Sequence, residues 1–400
     1  MSKKNPVWAH GLPAALLLMA PFDLLASLAM DIYLPVVPAM PERLGTSPTV
    51  IQLTLSLYMI LLGAGQMVFG PLSDRIGRRP VLLGGAALFA AASLALAAAG
   101  SGPVFLFLRV AQAAGAAAAL VATFATVRDV YAERPEGAVI YSLFGSMLAF
   151  VPALGPVAGA LIAERFGWRA IFVTLALLTL PALINATLRW HETRPTPVTR
   201  HRASMKPILR SPSFWAYTLA FSAAMGSFFV FFSTAPRVLI DRAGYSELGF
   251  SLAFATVAVV MIATTRFAKH FVTRWGVAGS AARGIVLLLA AAILLAGGQM
   301  SEAPSFATFI LPMWVAAIGM VFTVSVAANG ALAEFGDRAG TAVALYFCIE
   351  SLFVGIAGTL AVMGFGGDTA WPLVGYMAAM ALIVLSALGL VRRQSPAMRS

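Results

Sequence analysis

Cysteine is almost absent: Cys348 is the only one in 400 residues. A lone thiol closes no disulfide within the chain. Histidine is nearly as scarce, and His10, His191, His201 and His270 all fall outside the long apolar runs. No metal centre, no histidine proton relay and no cofactor is therefore expected. Charge is the third shortage. Only 11% of residues are Asp, Glu, Lys or Arg, while 60% are hydrophobic and the mean hydropathy is +0.88. Soluble domains carry roughly 25% charged residues. Water cannot be the main solvent of such a chain, and a lipid bilayer is the expected partner of most of its surface.

What the chain has instead is apolar length. Windows of about 20 residues, bounded by Gly, Pro and charge clusters, predict an all-α membrane protein of twelve helices. The first six spans fall at 12–36, 49–69, 80–99, 103–127, 138–162 and 168–188. The second six fall at 213–236, 247–266, 278–298, 304–328, 340–363 and 370–391. The run after Lys3 and Lys4 continues well past a signal-peptide core, so no cleavage is expected there. Between spans six and seven lies RWHETRPTPVTRHRASMKPILRSPS, the longest polar segment. Its Pro and Arg content predicts a linker at 189–212 between two six-helix halves, 1–188 and 213–400.

Basic residues set the expected orientation. With the N-terminus inside, 21 of the 27 Lys and Arg fall in cytoplasmic segments. Five fall outside (Arg43, Arg165, Arg169, Arg237 and Arg242), and Arg109 lies within a span. That bias predicts two cytoplasmic termini. It also accounts for the formal charge of +11, so nucleic acid is not an expected partner. Internal repetition is faint: GPLSDRIGRRP after span two has only a degraded counterpart, RFAKHFVTRWG, after span eight.

Three short patterns carry a resemblance. Gly70–Pro80 reads GPLSDRIGRRP, span four contains LRVAQAAG with Arg109, Gln112 and Gly115, and span five contains LGPVAGA with Gly155, Pro156 and Gly159. They resemble the G-x-L-x-D-R-x-G-R-R, R-x-x-Q-x-x-G and G-P-x-x-G elements of major facilitator superfamily transporters, the last typical of antiporters. From PFDLLASLAMDIYLP to DTAWP, the chain is similar to the chloramphenicol and florfenicol exporters of that superfamily. The resemblance implies a proton-driven antiporter of the bacterial inner membrane that exports phenicol drugs by alternating access. It implies gating by Gly70, Asp74, Arg75, Gly77 and Arg78, with Asp74 near the start of span eleven. The glycines suit a tight turn. Gly155 and Gly159 suit close helix packing, and Pro156 a bend.

Span one poses its own problem. Asp23 and Asp31 interrupt otherwise lipid-like sequence, although a carboxylate near the bilayer centre costs roughly 2.5–3.5 kcal/mol. Residues eight apart on a helix differ by roughly 80° and 12 Å. Asp23, Ser27 and Asp31 thus make one polar stripe, expected to face a central cavity. Helical rise puts Arg109 and Asp31 at similar depth, roughly 8–9 Å below the outer end, with Asp23 deeper. Arg109 is expected to pair with Asp31 or with nearby span-one carbonyls, leaving Asp23 to load and release the proton.

Glu350, in span eleven, is the other mid-span charge and a candidate for the C-terminal side of the cavity. Tyr33, Tyr58 and Phe228 to Phe232 are candidates for an aromatic drug pocket. Thr123, Thr126, Arg128 and Asp129 read as a structural cap at the cytoplasmic end of span four. Two other functions stand against drug export. One is proton-coupled uptake of a small solute on the same fold. The other is a membrane-embedded enzyme, for which the sequence shows no nucleophile–base pair. A monomer is expected.

Overall fold

The computed structural model describes residues 10–131, 134–194, 205–300, 303–335 and 339–394. Much of the linker, and Lys3, Lys4, Arg200, His201, Arg202, Arg338 and Arg399, lie outside the described residues. Among the described residues there are helices and turns and no strand. The chain divides into two compact units, 1–200 and 201–400, a boundary that falls inside the polar segment.

Unit one contains α1 (Leu12–Asp31), α2 (Met40–Arg43), α3 (Pro48–Ile76), α4 (Arg78–Ala98), α5 (Gly102–Tyr131), α6 (Pro135–Phe166) and α7 (Arg169–Arg189). Unit two contains α8 (Lys206–Leu209), α9 (Pro212–Pro236), α10 (Glu247–Gly298), α11 (Leu311–Leu332), α12 (Ala339–Phe365) and α13 (Trp371–Gln394). Among the described residues, eleven helical segments are long and apolar enough to cross a membrane. One of them, the 52-residue α10, is broken at Gly276, where φ is 67° and ψ is 177°. Spans eight and nine are its two arms, which brings the number of spans to twelve.

The ends differ from the hydropathy windows for identifiable reasons. α3 runs to Ile76, past the predicted end at 69, because LSDRI continues a helix in polar surroundings as readily as in lipid. Gly70 and Pro71 are therefore helical, and the α3–α4 connection is Gly77 alone, with φ 111°. Only glycine adopts that conformation without strain. α1 stops at Asp31 instead of reaching 36. The sequence LPVVPAMP then forms a 3-10 turn, Leu34–Ala39, since its prolines supply no amide donors.

The repetition that the sequence barely shows is explicit in the backbone. A Cβ added at Gly85 of α4 would lie 2.8 Å from the Gly115 carbonyl oxygen of α5, and one at Gly115 would lie 2.7 Å from that of Gly85. Gly284 of α10 and Gly319 of α11 approach each other in the same way, at 2.6 Å in both directions. Gly77 precedes Gly85 by eight residues, and Gly276 precedes Gly284 by eight. Thirty residues ahead of each turn glycine, a serine opens the preceding helix. Ser47 Oγ accepts from the Val50 amide and Ser246 Oγ from the Gly249 amide. Both units use one scheme: a serine-capped helix, a one-glycine turn, and a return helix crossing a third helix by backbone contact.

Candidate functional site

Both acids of α1 are buried, Asp23 at 2% exposure and Asp31 at 6%. Asp23 Oδ2 has no hydrogen-bond partner. Ser27 between them is half-buried. Asp31 is pressed beneath α6: a Cβ at Gly155 would come within 2.9 Å of the Asp31 Cβ, and one at Gly159 within 1.9 Å of the Ile32 carbonyl oxygen. The Gly155–Pro156–Gly159 element thus lies on the C-terminal end of α1, and close approach is what its small residues permit.

Arg109 of α5 is fully buried. Its Nη1 donates to the Ala29 carbonyl of α1 at 3.1 Å and to Gln112 Oε1 at 2.6 Å. Gln112 Nε2 donates in turn to Ser93 Oγ of α4 at 2.8 Å, and Ser93 Oγ to the Phe89 carbonyl at 2.6 Å. One polar chain therefore joins three helices. The guanidinium lies over the rings of Tyr58, at 4.5 Å, and Tyr33, at 5.1 Å. Tyr58 Oη donates to the Ala26 carbonyl at 2.8 Å, a second link to α1.

Of the two partners expected for Arg109, the structure contains the carbonyl. Among the described residues Arg109 forms no ion pair with Asp31. Tyr58 lies within electrostatic reach of both. Arg109 Nε and Nη2 are left without partners. Buried charge on an incompletely bonded guanidinium, anchored to the helix that carries the two buried acids, is an arrangement able to respond when a proton or a solute arrives.

At the α3–α4 turn, Arg78 is almost fully buried and gathers a network. Its Nη1 meets Asp74 Oδ1 at 2.5 Å and donates to Ser73 Oγ at 2.7 Å, while Nε meets Asp129 Oδ2 at 2.8 Å. Glu192, beyond α7, accepts from the Arg78 amide at 2.8 Å and the Arg79 amide at 3.2 Å. A carboxylate at a helix N-terminus satisfies orphan amides and opposes the helix dipole. It also explains Gly77 a second time, since a Cβ there would meet Glu192 Oε2 at 2.3 Å. The exposed Arg75 contributes its carbonyl, which accepts from Arg194 Nη1. Gly70 has open space around it and lies within α3, seven residues before the turn, where its carbonyl accepts from Ser73 Oγ at 2.9 Å.

Two readings of the sequence need correction. Asp129 joins the Arg78 network and is more than a helix cap. Phe231 stacks on Phe254 of α10 at 4.9 Å, with Phe228 and Phe232 against the same ring, while Phe229 abuts Gly358. The run Phe228–Phe232 is packing within unit two. Glu192 and Ser93 were not legible as site residues: nothing local distinguishes WHET or AASLA from any polar loop or alanine-rich helix. Glu350, on α12, is 5% exposed and accepts from Ser351 Oγ at 3.0 Å. Among the described residues no three His, Cys, Asp or Glu side chains are gathered as for a metal ion.

Comparison with known proteins adds to this geometry. The profile of the Major Facilitator Superfamily matches residues 23–359. A chloramphenicol resistance protein of Pseudomonas aeruginosa is 50% identical over 386 residues, 96% of this chain and 92% of that one. The multidrug resistance protein MdtL of Escherichia coli is 28% identical over 372 residues, 90% of this chain and 91% of its own. A solved structure of a peptide transporter POT in complex with sulfate matches with a TM-score of 0.79 at 14% identity, over 98% of this chain and 99% of the other. At that identity the likeness concerns the fold alone. Twelve apolar helices and a profile spanning most of the sequence agree: the chain is a multi-pass membrane transporter belonging to the Major Facilitator Superfamily.

Proposed function

We propose that this protein exports phenicol antibiotics, chloramphenicol or florfenicol or both, across the bacterial inner membrane in exchange for protons, by alternating access. It acts as a monomer with both termini in the cytoplasm, and leaves the drug chemically unchanged. The observation that carries the reading is the pair of buried α1 carboxyls on the helix whose Ala29 carbonyl a buried, incompletely bonded Arg109 holds. Its context is a chain half identical to a chloramphenicol resistance protein.

Asp23 loads and releases the proton. Asp31, Ser27, Tyr33 and Gln112 serve the same proton and substrate site, Tyr33 and Gln112 by holding Arg109, and Arg109 answers the change in charge through its free Nε and Nη2. Glu350 is the candidate substrate contact of the C-terminal unit. Asp74, Arg75, Gly77 and Arg78 govern the cytoplasmic gate, and Gly155, Pro156 and Gly159 seal the crossing of α1 and α6. Exchange of a neutral drug for one proton moves one net charge inward. Each 100 mV then contributes roughly 2.3 kcal/mol, about 1.7 decades of drug gradient.

Energised cells making the protein should hold less chloramphenicol than control cells, and an uncoupler should erase the difference. Drug recovered from the medium should be unmodified. Accumulation that rises on energisation would mean uptake, and modified drug would mean an enzyme. Either result ends this reading.

A further inference from the structure

α12 packs against α9 and α13, and around Glu350 it presents polar groups that its own packing does not use. Ser351 Oγ donates to Glu350 Oε2, and among the described residues Glu350 forms no ion pair. Two tyrosines lie within reach of its charge. They differ in one respect. Tyr376, on α13, donates its hydroxyl to the Ser222 carbonyl of α9 at 2.7 Å. It is wedged against Gly226, where an added Cβ would come within 1.9 Å of the phenol oxygen. Tyr376 is a strut.

Tyr346 is not. It stands one turn before Glu350 on the same face of α12. Its ring is held by Phe221 of α9 at 4.9 Å and by Phe347 at 5.2 Å. Its hydroxyl, on a residue 1% exposed, has no hydrogen-bond partner. Phenylalanine would fill the same space and bury no unsatisfied donor, so the hydroxyl burdens the fold without helping it. A buried hydroxyl without a partner calls for an explanation, and a bound solute supplies one.

We propose that Tyr346 and Glu350 are the hydrogen-bonding pair with which the C-terminal unit holds the alcohol-bearing end of a neutral aromatic amido-alcohol, alongside the Phe221 ring. The inference rests on the export reading above and names the part of the drug recognised here. An alcohol can donate to a Glu350 carboxyl oxygen while accepting from the Tyr346 hydroxyl. A fluorine at the same carbon donates nothing. The pair therefore discriminates between phenicols that differ by hydroxyl and fluorine at the terminal carbon, as thiamphenicol and florfenicol do.

The test is equilibrium binding of both drugs to the full-length protein in lipid nanodiscs. Tyr346→Phe should weaken thiamphenicol about tenfold, one buried hydrogen bond's worth. Florfenicol should weaken much less, and the melting temperature should stay or rise. Glu350→Gln, which keeps the shape, should likewise narrow the preference between the two drugs. Unchanged binding in Tyr346→Phe, equal weakening of both drugs, or a lowered melting temperature would each overturn the pair. Wild-type protein that binds neither phenicol would overturn the export reading itself. Wild-type binding that Tyr346→Phe leaves intact overturns only this inference.

Discussion

At the scale of single residues, Asp23 and Arg109 separate by what they lack. Asp23 has an oxygen with no donor, and Arg109 has two nitrogens with no acceptor. Asp23→Asn keeps the shape and removes the titration. It should abolish drug-driven proton movement in proteoliposomes while the protein still purifies folded; normal proton movement would remove Asp23 from the mechanism. Arg109→Lys keeps the charge but loses the planar fork that reaches Ala29 and Gln112 while lying over Tyr58. Transport should fall at least about tenfold, since a hydrogen bond to a charged group is worth roughly 1.5–3 kcal/mol; wild-type rates in Arg109→Lys would show that charge alone suffices. Helical rise along the sequence predicts a shared depth for Arg109 and Asp31. It could not say that the partner would be the Ala29 carbonyl, because two residues of helix amount to roughly 3 Å, less than the error on a span end.

Among the elements, the close crossings make contrasting expectations. Gly159→Ala puts a methyl 1.9 Å from the Ile32 carbonyl oxygen, so α6 must move off α1. A stability loss of about 1–3 kcal/mol is expected for such overpacking, visible as a lower melting temperature. Gly70→Ala meets open space in mid-helix and should stabilise by about 0.5–1 kcal/mol. If both variants melt alike, the crossing is not the tight contact described. Glu192→Ala uncaps α4 and should cost about 0.5–2 kcal/mol, measured the same way; an unchanged melting temperature would reduce Glu192 to a bystander. Twelve spans were legible because lipid demands about 20 apolar residues per crossing. Their ends were not, since polar residues extend a helix past the apolar window, as at Ile76 and Tyr131. The glycine pairs were also invisible: a glycine in an alanine-rich run announces nothing until its opposite number is known.

On the scale of the whole molecule, the shared scheme sharpens a difference between the units. Matching the turn and crossing glycines aligns Ser93, Gln112 and Arg109 of unit one with Ala292, Ala316 and Met313 of unit two. The scaffold is repeated, but the polar chain is not. That asymmetry agrees with proton handling by the N-terminal unit and with solute contacts from Tyr346 and Glu350 in the other. Orientation can be checked with the single buried cysteine left in place. A membrane-impermeant maleimide should label Arg242→Cys in intact cells, and Arg128→Cys only after they are opened; the reverse pattern would invert the topology.

Where two backbones already touch, at Gly85 with Gly115 and at Gly159 with Ile32, evolution has no atom to add. A lineage facing a bulkier antibiotic must broaden its repertoire elsewhere, at half-buried positions such as Ser27. Clinical surveillance of such variants would therefore find these glycines silent while their neighbours drift.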